Sequence, residues 1–267
     1  MKTLEESIAT AMDFDKNTAI VPFLPCMMQD FWDLGTPPEI VINLVQKHCG
    51  STPLANLQIL DLGCGKGATS VKLATTLNCN CLGIDGITEF IETSKEKAQE
   101  YGVDALCRFE VGDIREKINE LGKFDVIVLG AIGQVFGDYF ATLTALSKHL
   151  TEKGIIIIND AYIEDSSEYQ HPAVLPLREL LKQVEQAKME LIDEFIGVAN
   201  NEEYTEQFES IQKRCNELIA KYPEKSSLFE NYIQIQADEY DALENKMICS
   251  IMVFKLFHKG TKNTRFS

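Results

Sequence analysis

The chain has 267 residues, of which 45% are hydrophobic and 25% are charged, and its formal net charge is −16. This length fits one α/β domain with insertions, or two small domains. The acidity is concentrated between positions 160 and 245, which hold 20 acidic and 7 basic residues. Because nucleic-acid binding depends on Lys and Arg contacts to phosphate, we expect neither DNA nor RNA to be the main partner.

Hydropathy and cysteine usage indicate where in the cell the protein is expected to be. No stretch reaches the roughly 18 to 20 apolar residues that a membrane helix needs, so we expect no membrane span. The acids within residues 1–20 do not fit a signal peptide. The eight cysteines are scattered, and the close pair Cys79 and Cys81 has no second pair or nearby His to complete a zinc site. We therefore expect reduced thiols, no bound metal and a cytoplasmic protein, as a monomer or homodimer.

The N-terminal fifty residues divide into two parts. Residues 20–28 are mostly apolar but contain two prolines, so an irregular packed segment is predicted over residues 1–35. Thr36, the two prolines that follow it and Glu39 predict a helix that is capped by the Thr36 side chain. Gly50 is predicted to end this helix.

From Gln58 onward, short apolar runs alternate with helical segments. Near-continuous apolar strands between helices predict a parallel sheet that is covered on both faces. The predicted strands are 59–62, 81–85, 106–111, 124–129 and 154–159, and the predicted helices are 68–77, 88–101 (capped by Thr88) and one ending near His149.

After Asp160 this alternation stops. The pattern predicts a helix at 173–187, a strand at 190–198, two charged helices at 202–221 and 227–245, and a closing strand at 247–257. The two charged helices each have an apolar face, which we expect to pack against the other helix or the body. We interpret the helical pair as an insertion in a single domain.

Three alternate glycines, Gly63, Gly65 and Gly67, follow the strand that ends near Asp61. Glycine allows a sharp turn and a close approach of the backbone to a ligand, and the next helix presents unpaired amides there. A dinucleotide-binding turn has its third glycine three residues after the second. Here the interval is two, and a carboxylate at Asp61 would repel a pyrophosphate but attract an ammonium group. The pattern therefore favours an adenosyl amino-acid cofactor.

The segment 58–67 resembles the first motif of class I S-adenosylmethionine-dependent methyltransferases. Segments 81–85, 109–114, 124–131 and 150–158 resemble the motifs of the second to fifth strands in that family. The resemblance covers residues 55–160 well and the chain after Glu190 more loosely. It is specific for the cofactor and uninformative about the acceptor.

The resemblance also implies roles for individual residues. Asp85 is expected to hold the ribose hydroxyls, Gly86 and Ile87 to lie against the adenine, and Asp113 to accept from the adenine amino group. The end of the fourth strand is expected to border the methionine part. The implied cofactor-binding residues are Asp61, Gly63, Cys64, Gly65, Asp85, Gly86, Ile87, Asp113, Ile114, Leu129 and Gly130.

The acceptor side is less defined. Residues 129–134 contain neither the Asn/Asp-Pro-Pro-Tyr type sequence nor the Pro-Cys nucleophile of base-modifying enzymes, and this favours a small-molecule acceptor. Tyr162 follows the fifth strand at the ligand-binding edge of an open α/β sheet. His171 is a candidate base near neutral pH, or only the start of a helix. The candidate acceptor-side residues are Trp32, Gln134, Tyr162 and His171, and no catalytic residue is assigned.

The resemblance implies a Rossmann-like α/β fold with a seven-stranded, mostly parallel sheet, whose last strand is antiparallel, and a helical lid. Within a single domain of residues 1–267, we expect an N-terminal lid segment (1–50), a cofactor-binding core (55–160), a substrate-lid insertion around one strand (161–245) and a closing strand (246–258).

The expected activity is methyl transfer from S-adenosylmethionine to a small molecule, which releases S-adenosylhomocysteine. The alternatives are an RNA or protein methyltransferase, an NAD(P)-dependent oxidoreductase, and a non-catalytic adenosyl-binding module.

Overall fold

A computed structural model describes residues 2–12, 14, 17–50, 52–197 and 201–257 of the chain, without the side chains of residues 201–204. The predicted strand ends at Val198 and at position 258 lie outside the described residues.

The described strands form one seven-stranded sheet in the order β3-β2-β1-β4-β5-β7-β6. Strands β1 to β5 pair in parallel, and β7 runs antiparallel to both β5 and β6. This confirms the predicted sheet and its antiparallel closing strand. The strands are β1 (Gln58–Leu62), β2 (Asn80–Asp85), β3 (Cys107–Val111), β4 (Phe124–Gly130), β5 (Leu150–Tyr162), β6 (Met189–Ile196) and β7 (Ile248–Leu256).

Helices cover both faces of the sheet. They are α1 (Leu4–Ala11), α2 (Leu24–Met27), α3 (Pro38–Cys49), α4 (Ala68–Leu77), α5 (Thr88–Glu100), α6 (Ile114–Lys117), α7 (Tyr139–Ser147), α8 (Leu177–Gln186), α9 (Asn201–Lys221) and α10 (Ser226–Asn245). Within the described part of the chain, no helix has both the length and the hydrophobicity to cross a membrane.

The middle of β5 explains why the sheet needs two covering layers. Its four consecutive isoleucines at positions 155–158 are all buried. Side chains alternate between the faces of a strand, so Ile155 and Ile157 join the apolar cluster with α3, α4 and α5, while Ile156 and Ile158 join the cluster with α7 and α8. Burial on both faces is what produces an uninterrupted apolar run in a parallel sheet.

A third apolar cluster lies outside these two layers, and we call it the outer cluster. It combines the N-terminal segment, α9, α10 and the start of α5. Asp30 and Arg214 add a two-bond ion pair between the N-terminal segment and α9, with Nε to Oδ2 at 2.6 Å. The apolar faces of α9 and α10 therefore pack as predicted. The outer cluster contains Ala9, Phe14, Ile20, Leu24, Met27, Met28, Ile87, Phe90, Ile211, Cys215, Leu218, Phe229 and Tyr232.

The N-terminal prediction was wrong in two respects. Helices α1 and α2 and a 3-10 helix over Thr18–Phe23 form in the segment that was predicted to be irregular. Thr36 does not cap α3, whose N-cap residue is Pro37 without a side-chain bond. The Thr36 hydroxyl accepts a hydrogen bond from the Asn159 side chain at 3.0 Å instead, so a contact across the fold replaces the local cap.

Two further helix starts differ from the prediction. Ile87, and not Thr88, is the N-cap residue of α5. Helix α8 begins at Leu177 rather than at 173. The ring nitrogen Nδ1 of His171 accepts the backbone N–H groups of Ala173 and Val174 at 3.2 and 3.1 Å, and these bonds form a turn where the helix was expected.

Candidate active site

The glycine-rich turn joins β1 to α4. Gly63, Gly65 and Gly67 have φ values of +71°, +53° and +74°, a region that residues with a Cβ rarely adopt. A Cβ on Gly63 would lie 2.5 Å from Ile132 Cγ2, and one on Gly65 would lie 2.9 Å from Leu34 Cδ1. Left-handed backbone and close neighbours together require glycine in this turn.

Asp85 ends β2 directly beside this turn. Its Oδ2 accepts the Gly65 N–H at 2.9 Å, and its Oδ1 accepts the Ile87 N–H at 2.8 Å. Burial raises the pKa of Asp85, while the backbone N–H groups of Ile87, Gly65 and Gly86 lower it. Each carboxylate oxygen can accept two hydrogen bonds, so the carboxylate retains capacity for a ligand hydroxyl.

Asp61 is a buried acid at the base of the turn. The Ser70 hydroxyl donates to its Oδ2 at 2.7 Å. Burial, together with the charge of Asp85, raises the pKa of Asp61 to about 6. A buried carboxylate favours a nearby cation, because the cation stabilises its charged form.

A cleft of about 320 Å³, open to solvent, lies against the turn. It brings together several residues that were predicted to bind the cofactor, and it also includes Trp32, which was predicted on the acceptor side. The sequence analysis missed Leu34 and Thr36, for which we find no local signal because only the fold brings them here. The cleft is lined by Trp32, Leu34, Thr36, Asp61, Gly63, Cys64, Gly65, Ala68, Thr69 and Gly130.

Helix α1 lies over the edge of the site where the adenine was predicted. A Cβ on Gly86 would lie 2.9 Å from Ile8 Cδ1 and 3.0 Å from Leu4 Cδ1. Asp113 caps α6 and pairs with the Arg115 side chain, which lowers the pKa of Asp113. Arg115 also donates to the carbonyl oxygens of residues 2 and 3. The adenine-binding role of Asp113 stays a prediction, and its carboxylate is engaged by Arg115 in this structure.

Lys66, inside the turn, holds the N-terminal segment. Its buried ammonium group donates to the carbonyl oxygens of Met28 and Phe31, the latter at 2.5 Å. It also lies 5.8 and 5.7 Å from the ring centroids of Phe31 and Phe90. Burial lowers the pKa of Lys66 to about 8, and the charge of Asp30 opposes this shift.

A second cleft, of about 330 Å³, lies at the carboxyl ends of β4 and β5. The Tyr139 hydroxyl donates to Asp160 Oδ2 at 2.9 Å, and the Gln134 side chain donates to the carbonyl oxygen of Ala173 at 2.6 Å. Gln134, which was predicted on the acceptor side, lines this cleft, and its role stays a prediction. The lining residues are Leu129, Ile132, Gly133, Gln134, Gly137, Tyr139, Thr142, Ile158, Asn159 and Asp160.

The other two acceptor-side candidates are not among the residues that line either cleft. Tyr162 is buried, and its hydroxyl donates to Glu194 at 3.0 Å. Burial, followed by the Glu194 charge, raises the pKa of Tyr162 to about 12. His171 holds the turn before α8. In the part of the chain that the structure describes, no group of three or more His, Cys, Asp or Glu residues could hold a metal ion.

Comparison with known proteins shows which family this chain resembles. A family model described as a methyltransferase domain matches residues 54–236. The 27-O-demethylrifamycin SV methyltransferase of Amycolatopsis mediterranei is 30% identical over 100 residues, which are 36% of this chain and 37% of that protein. The ribosomal protein L11 methyltransferase of Thermosipho africanus is 32% identical over 104 residues, 39% of this chain and 37% of that protein. The matched part is therefore less than half of either relative.

Solved structures share the fold over a larger part of the chain. A Geobacter sulfurreducens S-adenosylmethionine-dependent methyltransferase, in complex with S-adenosylhomocysteine, has a TM-score of 0.71 at 16% identity and covers 88% of this chain and 98% of its own. The [4+2]-cyclase SpnF has a TM-score of 0.69 at 13% identity and covers 96% and 97%. Because the family model spans more than half of the chain, this protein belongs to the methyltransferase-domain family.

Proposed function

We propose that this protein transfers a methyl group from S-adenosylmethionine to a small-molecule acceptor and releases S-adenosylhomocysteine. The observation that carries the proposal is the hydrogen bond from the Gly65 N–H to Asp85, which joins the glycine turn at the first cleft to the carboxylate that we assign to the ribose. The S-adenosylhomocysteine in the Geobacter structure supports the choice of cofactor. The rifamycin relative supports a small-molecule acceptor.

The residues at the first cleft fit this cofactor. The turn leaves no Cβ between the cleft and the backbone at Gly63 and Gly65. Asp85 retains acceptor capacity for the ribose hydroxyls. Asp61, which also lines the cleft, is suited to the ammonium end of the methionine part, directly or through water.

The cofactor supplies a methyl group on a sulfonium, which is already a strong electrophile. The protein therefore has to align an acceptor with that methyl group and exclude water. We assign alignment of the cofactor to the glycine turn, Asp61 and Asp85. We assign closure of the site to the N-terminal segment (1–50) and the insertion (161–245), because both contribute to the outer cluster.

A protein acceptor is the second candidate, because the chain also resembles ribosomal protein L11 methyltransferases. The rifamycin relative favours a small molecule. We further propose that the protein is a monomer or homodimer and acts in the cytoplasm; the free thiols of its cysteines support this location.

Titration calorimetry tests the cofactor assignment. We expect the full chain to bind S-adenosylhomocysteine and not NADH. Binding of NADH alone would favour the oxidoreductase alternative. We also expect label from methyl-labelled S-adenosylmethionine in small molecules rather than in protein. Cofactor binding without any transfer, as in a non-catalytic module, would contradict the proposed activity.

A further inference from the structure

The two clefts share a wall. Ile132 lines the second cleft, and its side chain lies against Gly63, which lines the first. Leu129 and Gly130 line the second and first cleft, respectively. Ala131, which lies between Gly130 and Ile132 in the chain, has a φ of +53°, a strained value for a residue with a Cβ. A molecule in the second cleft would therefore be next to a ligand in the first.

The second cleft has an acidic lining. Asp160 is the acidic residue in its lining, and no Lys, Arg or His lines it within the described residues. Burial, followed by the Asp160 charge, raises the pKa of Tyr139 well above its usual range. Tyr139 therefore stays protonated near neutral pH and donates to Asp160. A carboxylate that accepts such a bond keeps its negative charge more readily.

A buried hydroxyl adjoins this carboxylate. Ser250 of β7 is the antiparallel register partner of Asp160 in β5. Directly opposed residues on antiparallel strands project to the same face. Ser250 is 1% exposed, and its Oγ has no hydrogen-bond partner among the described residues. Tyr139, Asp160 and Ser250 thus form a polar group at the carboxyl end of β5, beside the second cleft.

We propose that the second cleft binds the methyl acceptor, that this acceptor is a small-molecule amine, and that Asp160 contacts its nitrogen. The proposal rests on the proposed methyltransferase function. Attack by the neutral amine forms a C–N bond, while the C–S bond breaks and its electron pair remains on sulfur. The positive charge thereby passes from sulfur to nitrogen, and the methylated ammonium then loses a proton to solvent.

Asp160 suits this step because the charge develops on the acceptor atom. A preorganised carboxylate in a site that excludes water stabilises a cation more strongly than it would in bulk water. A hydroxyl or carbon acceptor would instead require a group that removes a proton during attack.

The test uses the full chain, methyl-labelled S-adenosylmethionine, and acid-soluble small-molecule extracts of bacteria and yeast as acceptors. The variants are Asp160→Asn, which removes the charge, and Glu152→Gln, which removes an exposed acid near the amino end of β5 as a control. Carbon-13 label identifies the methylated atom, because N-, O- and C-methyl carbons differ in chemical shift. S-adenosylhomocysteine affinity is measured for every variant.

We expect N-methyl products from the wild type, a rate at least roughly a hundredfold lower for Asp160→Asn, no change for Glu152→Gln, and the same S-adenosylhomocysteine affinity in all three. O- or C-methyl products, or an undiminished rate in Asp160→Asn, would each overturn the amine assignment. A wild type that does not bind S-adenosylhomocysteine, or that binds it without transferring a methyl group to any acceptor, would instead overturn the proposed function.

Tyr139→Phe is a second variant, which keeps the ring in the core but removes the hydrogen bond to Asp160. Without this donor the Asp160 carboxylate is no longer held in one orientation, so kcat should fall while the S-adenosylhomocysteine affinity stays that of the wild type. An unchanged kcat would contradict the assignment of Tyr139 as a positioning residue for Asp160. Loss of folding would be visible as loss of S-adenosylhomocysteine binding.

Discussion

The indole nitrogen of Trp32 donates a hydrogen bond to the carbonyl oxygen of Lys66 over 2.8 Å. The Lys66 ammonium group in turn donates hydrogen bonds to the carbonyl oxygens of Met28 and Phe31 in the N-terminal segment. The glycine-rich turn and the N-terminal segment are therefore joined by bonds in both directions.

Trp32 is the single tryptophan of the chain, and it lines the first cleft. Its ring centroid lies 5.1 Å from that of Tyr101. We expect titration with S-adenosylhomocysteine to change the intrinsic tryptophan fluorescence, with the same dissociation constant that calorimetry gives. A calorimetric binding isotherm without a fluorescence change would place the ligand away from Trp32.

Asp85→Ala should weaken cofactor binding because it removes the carboxylate assigned to the ribose hydroxyls. Loss of two charge-assisted hydrogen bonds corresponds to about 2 to 3 kcal/mol, or roughly a 30- to 150-fold loss of affinity. The measurement is calorimetry with S-adenosylhomocysteine. Glu89→Gln, at an exposed acid in the first turn of α5, serves as the control. A loss of less than about threefold would contradict the role of Asp85.

A Gly65→Ala substitution should have two effects, strain in the left-handed backbone and obstruction of the cleft, and a control variant separates them. Its control is Gly102→Ala, since Gly102 also has a positive φ of +67° but no atom within 4 Å of a Cβ. Both variants should lose about 1 to 2 kcal/mol of unfolding free energy in urea because of the left-handed backbone. We expect Gly65→Ala in addition to bind S-adenosylhomocysteine at least roughly tenfold more weakly. Equal affinities for the two variants would mean that Gly65 does not approach the ligand.

Lys66 should make stability depend on pH. Its pKa is about 8 in the folded protein, against an ordinary value of 10.5, so the unfolded chain binds more protons between these values. The free energy of unfolding therefore rises with pH across that window, as the cost of the buried charge is relieved. Relative to Lys66→Met, the wild type should gain stability in urea unfolding from about pH 7 to about pH 10. If the difference in unfolding free energy between the wild type and Lys66→Met did not change with pH, the pKa of Lys66 would not be lowered.

The sequence predicted the five parallel strands well because each combines an apolar run with a following turn or helix. Strand β5 was predicted too short, at 154–159. Its polar ends resemble loops in the sequence. The amino end pairs with β4, as in Leu150 with Phe124, and the carboxyl end pairs with β7, as in Tyr162 with Ile248. Pairing between distant segments leaves no local signal.

The candidate site was predicted unevenly for the same reason. Asp61, Gly63, Cys64, Gly65 and Gly130 line the first cleft, as expected for residues in contiguous motifs. Asp160 was not predicted, although a polar pair directly after four isoleucines marks the carboxyl end of a buried strand. The structure adds what the sequence lacked, namely which polar groups share one cleft.

The outer cluster has a consequence for engineering. Leu24 and Met27 of α2 share it with Ile211 and Cys215 of α9, and Cys215 Sγ lies 3.4 Å from Met27 Sδ. The two segments that we assign to closure are thus one packed unit, although nearly the whole core separates them in the chain. A chimera that imports residues 161–245 from a relative would need residues 1–50 from the same relative. The unit of transfer between such proteins is this pair of segments.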